Sequence, residues 1–238
     1  MERLIKLFTE LVLPKQCVGC KTEGTDLCET CMTMIMPVTV FRCPFCDVIT
    51  TSGQTCDRHK ECALDGALHA GYYHDPILRN AIHLFKYASV ENFEKILGNL
   101  ITRTCDKYQT MLPKKGVVVA VPLFKFRERK RGYNQAGLLA PYAARALGLL
   151  YEPEVLKRKL TIFSILANSP QAELDKDDAS RSYALKNAYY VTEPCKIRGQ
   201  TVLLVDDVLT SGATLEVAAQ ALKKAGATHV FCLVLARG

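Results

Sequence analysis

The chain predicts an α/β fold: a parallel sheet with flanking helices, preceded by a small cysteine-rich region. Three observations carry this. Continuous apolar runs at Val117–Val121, Thr201–Val205 and Val230–Leu235 have the make-up of strands buried on both faces. Helical periodicity fills the stretches between runs, and strands alternating with helices imply crossovers in a parallel sheet. Eight of the eleven cysteines lie between residues 17 and 62, ahead of all these elements.

In chain order, Met1–Leu13 puts Leu4, Leu7, Phe8, Leu11 and Val12 on one helical face. It reads as a short covering helix, with a membrane-surface anchor as the alternative. Glu2, Glu10 and the lack of a small-residue cleavage site argue against a secretion signal. No apolar run approaches the roughly 18 residues of a membrane span. The expected location is the cytoplasm, where thiols stay reduced and open to metal.

A boundary near residue 65 divides the chain into 1–65, helix and ribbon region, and 66–238, the α/β domain. Asp75–Tyr87 has helical spacing of Ile77, Leu78, Ile82 and Phe85, with Pro76 suited to a first turn. Phe93–Tyr108 predicts a second helix, Asn134–Leu149 one ending at Gly148, and Leu215–Ala225 one stopped by Gly226. Residues 161–180, with Glu173, Asp175, Asp177 and Asp178, read as a loop. Cys105, Cys195 and Cys232 stand alone and read as buried hydrophobes.

The net charge is +7, and it is concentrated. Residues 113–160 hold eleven Lys/Arg against three Asp/Glu, and the remainder 20 basic against 21 acidic. Such a field draws phosphates, on a nucleotide or along a nucleic acid; a solvated lysine-rich face is the plain alternative.

The cysteines come in pairs: Cys17-x-x-Cys20, Cys28-x-x-Cys31, Cys43-x-x-Cys46, then Cys56-x-x-His59 with Cys62 close behind. Each pair can point two ligands at one tetrahedral ion, so two pairs complete a closed structural zinc site. Residues 17–31 would form one site and 43–62 the other. Whether His59 or Cys62 completes the second stays open.

Thr201–Val205 is followed by two carboxylates, Asp206 and Asp207, then by Thr210, Ser211, Gly212, Ala213 and Thr214 before a helix. Ligands of open α/β sheets sit beyond the carboxyl ends of strands. Amides at a helix start with neighbouring hydroxyls make a phosphate cup, and adjacent carboxylates can hold a ribose diol. A magnesium-binding ATPase strand would need a G-x-x-x-x-G-K-[ST] loop upstream; Gly132–Leu138 lacks the lysine. A plain capped helix would leave the paired aspartates unexplained.

Val202–Thr214 resembles the signature of type I phosphoribosyltransferases. The wider chain resembles the ComF family of competence proteins, a zinc ribbon joined to a phosphoribosyltransferase-like domain. The likeness runs through the leading helix, the cysteine pairs, Ile82–Tyr87, Val121-Pro122-Leu123, Arg127–Gln135, Gln171…Arg181 and the Asp206-Asp207 loop. It implies that Asp206 and Asp207 bind ribose and Thr210–Thr214 its 5-phosphate, as parts of a site for phosphoribosyl pyrophosphate with Mg2+. Lys125, Arg127, Arg129, Lys130, Arg131 and Asn134 would face pyrophosphate or a DNA strand. Two positions depart from the family: Cys56-x-x-His59 stands for a fourth Cys-x-x-Cys, and Ala184 follows Arg181 where the family tends to have Asn. No residue is assigned a catalytic role.

The resemblance implies handling of incoming single-stranded DNA in natural transformation. Phe124, Phe126 and Tyr133, interleaved among the cations, would stack bases, or else pack in the core. The alternatives are an active phosphoribosyltransferase of nucleotide metabolism and a regulator sensing a phosphoribosyl metabolite. A competence helicase and a second copy of the chain are the further partners considered.

Overall fold

Five parallel strands lie in the order β1 (Gly66–Tyr72), β7 (His229–Arg237), β6 (Thr201–Leu209), β2 (Val117–Ala120), β3 (Leu150–Tyr151). The computed structural model describes residues 15–35, 38–87, 90–159 and 188–238. The expected helix over 1–13, the loop at 161–180, and Arg181 with Ala184 lie outside the described residues.

The apolar runs become the central strands because both sheet faces are covered. Alternate residues serve opposite layers. Val118, Ala120, Leu203, Val205, Leu233 and Leu235 face helices α2 (Pro76–Tyr87), α3 (Val90–Lys107) and α5 (Gln135–Leu147), together with Phe85, Phe93, Ile101 and Leu139. Val117, Val119, Val202, Leu204, Val230 and Val234 face α6 (Ala213–Lys224) through Leu215, Ala218, Ala219 and Leu222. The α3–α5 contact is close: a Cβ on Gly98 would sit 2.6 Å from the Tyr142 ring.

A short α1 (Glu29–Met34) lies in the cysteine region, α4 (Lys125–Arg131) follows β2, and β4 (Leu156–Arg158) pairs antiparallel with β5 (Tyr189–Val191). The chain leaves β2 towards β3 on one side and leaves β6 towards β7 on the other. The gap between β2 and β6 is therefore the switch point at which such sheets open a crevice.

The helices over 76–87 and 90–107 follow their periodicity, and the third ends at Gly148 in the left-handed conformation (φ 65°). Three expectations need correction, and one strand was not anticipated. The strand read as Thr201–Val205 continues to Leu209, because β7 keeps pairing with it through Asp206, Val208 and Leu209. The helix read as Leu215–Ala225 starts at Ala213, directly after a left-handed Gly212. Strand β1 begins at Gly66, in a stretch with no clear apolar run. Of the lone cysteines, Cys105 and Cys232 are buried, but Cys195 sits exposed in a one-turn helix, Pro194–Lys196. Among the described residues, no helix is long and apolar enough to cross a membrane.

Candidate functional site: a carboxylate and cation cleft beside two cysteine clusters

At the switch point lies a cleft of about 200 Å³. Its walls come from Val121–Leu123 after β2, from Arg127 and Arg131 of α4, and from Asn134 and Gln135 at the head of α5. The floor is Asp206 through Leu209 of β6 and Thr210 just after it, with Gly212 and Thr214 at the start of α6. Asn134 Nδ2 donates to Val121 O at 3.0 Å, which ties the turn after β2 to the helix behind it.

The two carboxylates differ. Asp207 is paired with Lys86 Nζ at 2.9 Å. Asp206 accepts from the Asp207 amide at 2.8 Å. Burial, then the charge of Asp207, pushes Asp206 up to about 8 from an ordinary 3.8, against a downward pull from that amide, Lys86 and Arg158. Lys86 balances the charge of Asp207, and an ionised Asp206 beside it in a partly dry site would be relaxed further by a ligand cation or hydroxyl donors. Carboxylates raised in this way cluster at functional sites, and buried ion-pair networks raise them too.

Of the residues expected here, Asp206, Asp207, Thr210, Gly212, Thr214, Arg127, Arg131 and Asn134 line the cleft. Ser211 and Ala213 belong to the same loop without lining it; Ala213 N donates to Ser211 Oγ at 3.5 Å. Lys125, Arg129 and Lys130 sit on exposed positions of α4. The basic block is a helix, so Arg127 and Arg131, four residues apart, share one face. Arg131 is braced by Gln135 Oε1 (3.1 Å) and by the Tyr87 hydroxyl (3.3 Å).

The aromatics split too. Phe124 is buried, and Tyr133 is half-buried against the core with its hydroxyl donating to Phe85 O. Phe126 is 59% exposed. Among the lining residues outside the expected set are Lys86, Arg158 and Tyr189. Arg158 lies 5.4 Å from both the Phe124 and the Tyr189 ring centroids. Lys86 was visible as the charged end of an amphipathic helix and within the Ile82–Tyr87 block of the resemblance, 121 residues before its partner.

The cysteine pairs assemble as two groups of four, Cys17/Cys20/Cys28/Cys31 and Cys43/Cys46/Cys56/His59, each with ligand atoms within 4.8 Å of one another. A tetrahedron with Zn–S of about 2.3 Å has S···S edges of about 3.8 Å and S···N edges of about 3.6 Å. Cys20–Cys28 and Cys46–Cys56 are each 3.7 Å apart, and His59 Nδ1 lies 3.5, 3.6 and 3.3 Å from Cys43, Cys46 and Cys56. These spacings match the edges of a tetrahedral coordination shell. Burial and the neighbouring sulfurs push Cys31 up to about 12, a strain that a divalent cation would relieve. Both groups thus fit structural zinc. Cys62 stands outside the second; burial and Glu216 raise its thiol.

The cysteine region is anchored to the sheet. Ala63 and Leu64 amides donate to Glu216 of α6, both at 3.0 Å. Asp65 pairs with Lys223 at 2.8 Å. Arg237, at the end of β7, donates to Arg42 O (3.4 Å) and Cys46 O (3.0 Å).

Comparison with known proteins agrees with this layout. Residues 157–238 match the family described as "Phosphoribosyl transferase domain". "Competence protein F" of Haemophilus influenzae is 28% identical over 93% of this chain and 96% of its own length. "DNA utilization protein YhgH" of Salmonella typhi is 30% identical, covering 66% of this chain and 67% of that protein. "Competence protein ComFC" of Bacillus subtilis is 24% identical over 84% of this chain and 79% of its own. Among solved structures, an allosteric regulatory enzyme of purine biosynthesis aligns with a TM-score of 0.42 at 19% identity, over 64% of this chain and 30% of that one.

Proposed function

From the premise that this chain belongs to the ComF family of competence and DNA-utilization proteins and carries a phosphoribosyl transferase domain, we propose that it handles single-stranded DNA while holding a ribose phosphate. In this reading residues 1–65 are the zinc-ribbon region and 66–238 the sugar-phosphate domain, working in the cytoplasm. One observation supports it above the rest: helix α4 divides its cations between two surfaces. Arg127 and Arg131 face the cleft with Asp206, Asp207 and the Thr210–Thr214 loop. Phe126, Arg129 and Lys130 are exposed and line neither the cleft nor the cavity beside it, which Lys125 lines.

The cleft's chemistry suits phosphoribosyl pyrophosphate. Asp206 and Asp207 would accept from the ribose hydroxyls, and the amides at the head of α6 with Thr210 and Thr214 would take the 5-phosphate. Arg127 and Arg131 would meet the pyrophosphate, whose charge Mg2+ would share. The outer face offers point charges to a DNA backbone and one ring for a base.

The test is calorimetry with phosphoribosyl pyrophosphate and Mg2+, alongside single-stranded DNA titrated at two salt concentrations. Asp206→Ala with Asp207→Ala should lower sugar-phosphate affinity by about 100-fold or more, equivalent to two buried charge-assisted contacts. Unchanged affinity refutes the site. Arg129→Gln with Lys130→Gln should weaken DNA binding and lower its salt slope by about 1–2, without touching the sugar phosphate. An unchanged slope would make that face a merely solvated surface.

A second reading, turnover of the sugar phosphate with a nucleophilic acceptor, has one feature in its favour. A cavity of about 360 Å³ adjoins the cleft, sharing Pro122, Leu123, Asn134 and Arg158 and adding Tyr151 and Tyr190. Release of pyrophosphate dependent on an added base would support it.

A further inference from the structure

The loop of residues 210–214 is exposed at Thr210, Ser211, Ala213 and Thr214 and buried at one residue, Gly212. What buries it comes from the cysteine region. A Cβ on Gly212 would lie 2.8 Å from Phe45 Cδ1 and 3.2 Å from Pro44 O. Phe45 sits inside the Cys43–Cys46 turn, and its ring centroid is 5.4 Å from that of His59, a member of the same ligand group. Gly212 holds φ +77° at the N-cap of α6, a conformation that disfavours any side chain, so the ring occupies the place a side chain would have filled. One further tie holds the same turn, Arg237 onto Cys46 O, and a second anchors the chain just past the ligand group, Glu216 in the first turn of α6 onto the amides of Ala63 and Leu64. Metal ligands and phosphate loop are thus one aromatic ring apart.

We propose that the Cys43–Cys46 turn clamps the phosphate loop: Phe45 is a positioning residue for the sugar phosphate, and metal held by Cys43, Cys46, Cys56 and His59 orders the loop for binding. The proposal rests on the reading of the cleft as a sugar-phosphate site and deepens it. Phe45 lies behind the loop and takes no part in lining the cleft, so its effect passes through Gly212. Without metal the turn has little apolar core to hold it, the ring leaves Gly212, and the loop must pay its own ordering entropy when ligand arrives.

The experiment uses the full chain with Phe45→Ala and Phe45→Leu. Three quantities are read: zinc per chain by elemental analysis, hydrogen exchange of peptides covering 208–216, and affinity for ribose 5-phosphate. Phe45→Ala should keep two zinc ions, speed exchange in the loop about tenfold, and weaken ribose 5-phosphate about tenfold, as expected for an ordering cost moved onto the ligand. Phe45→Leu, which keeps bulk over Gly212, should recover most of both. Should Phe45→Ala lose its metal, Phe45→Leu decides on the same readouts by lying between wild type and metal-stripped protein. Wild-type exchange and affinity in a zinc-replete Phe45→Ala overturn the clamp. Faster exchange in a protein whose wild type ignores ribose 5-phosphate supports the clamp on the loop and refutes the sugar-phosphate reading, so the two failures are told apart.

Discussion

The cysteine region and the sheet domain reach order by opposite routes. In the sheet, three central strands bury whole runs such as Val202–Val205 and Leu233–Ala236, and helices cover both faces. Between residues 15 and 65 the described chain has one six-residue helix, a single 3₁₀ turn and isolated bridges. Its order is local: eight ligands in two knots, with Cys17, Cys31 and Cys43 among its most buried side chains. Metal binding energy can replace hydrophobic burial where a segment is too short to build a core. The weaker region nevertheless touches the most demanding part of the stronger one, the loop at Gly212.

The comparison breaks most visibly on metal removal. Chelation at neutral pH should abolish exchange protection over residues 15–62, since structural zinc sites contribute on the order of 10 kcal/mol, while the central strands keep theirs. Equal loss in both regions would show that the sheet depends on the metal for its folding. The converse is Leu204→Ala, at a fully buried position of β6. A cost of about 2–5 kcal/mol in global unfolding, with zinc content unchanged in the folded fraction, is expected from the cavity it leaves.

A third, smaller effect is pH-dependent. Asp206 titrates at about 8 in the folded chain against an ordinary 3.8. Its contribution to stability is therefore fully present below about pH 4 and is lost as pH rises through about 8. Asp206→Asn should raise Tm at pH 8 by several degrees, about 1–3 kcal/mol, and change little at pH 4. On the proposed sugar-phosphate reading, wild type should gain affinity as the carboxylate ionises, and the same substitution should remove that gain. A mutant Tm that tracks wild type at both pH values would mean that Asp206 is not strained.

The smallest effect concerns a surface tie between the regions, Arg103 to Glu29 at 2.7 Å, with both side chains more than half exposed. Arg103→Ala should cost less than about 1 kcal/mol in denaturant unfolding. A larger loss would place a real share of the docking energy at that rim rather than at Glu216 and Phe45.

Much of the sheet was legible because its signals are local. Val117–Ala120 and Thr201–Val205 are unbroken apolar runs, and α2 and α3 carry their spacing in the residues themselves. The misses have a common cause. Helix α4 is nearly all charge, so no apolar stripe marks it, and it is held by Phe124 below and by Gly132 at its end (φ 84°). Strand β6 extends past two aspartates because β7 is there to pair with it. Strand β1 is held by β7 from the far end of the chain.

The sequence by itself determined the ligand inventory: four cysteine-containing pairs at tetrahedral spacing, two carboxylates and a hydroxyl-rich loop before a helix. Residue type and spacing carry that information without any distant contact. Tertiary structure decided what those parts face. It chose His59 over Cys62, turned Phe124 and Tyr133 inward while leaving Phe126 out, and brought Lys86 and Arg158 to the carboxylates. It also laid Phe45 on Gly212. Each of these depends on which surfaces meet when crossovers close over the sheet, and a spacing along the chain holds no record of that.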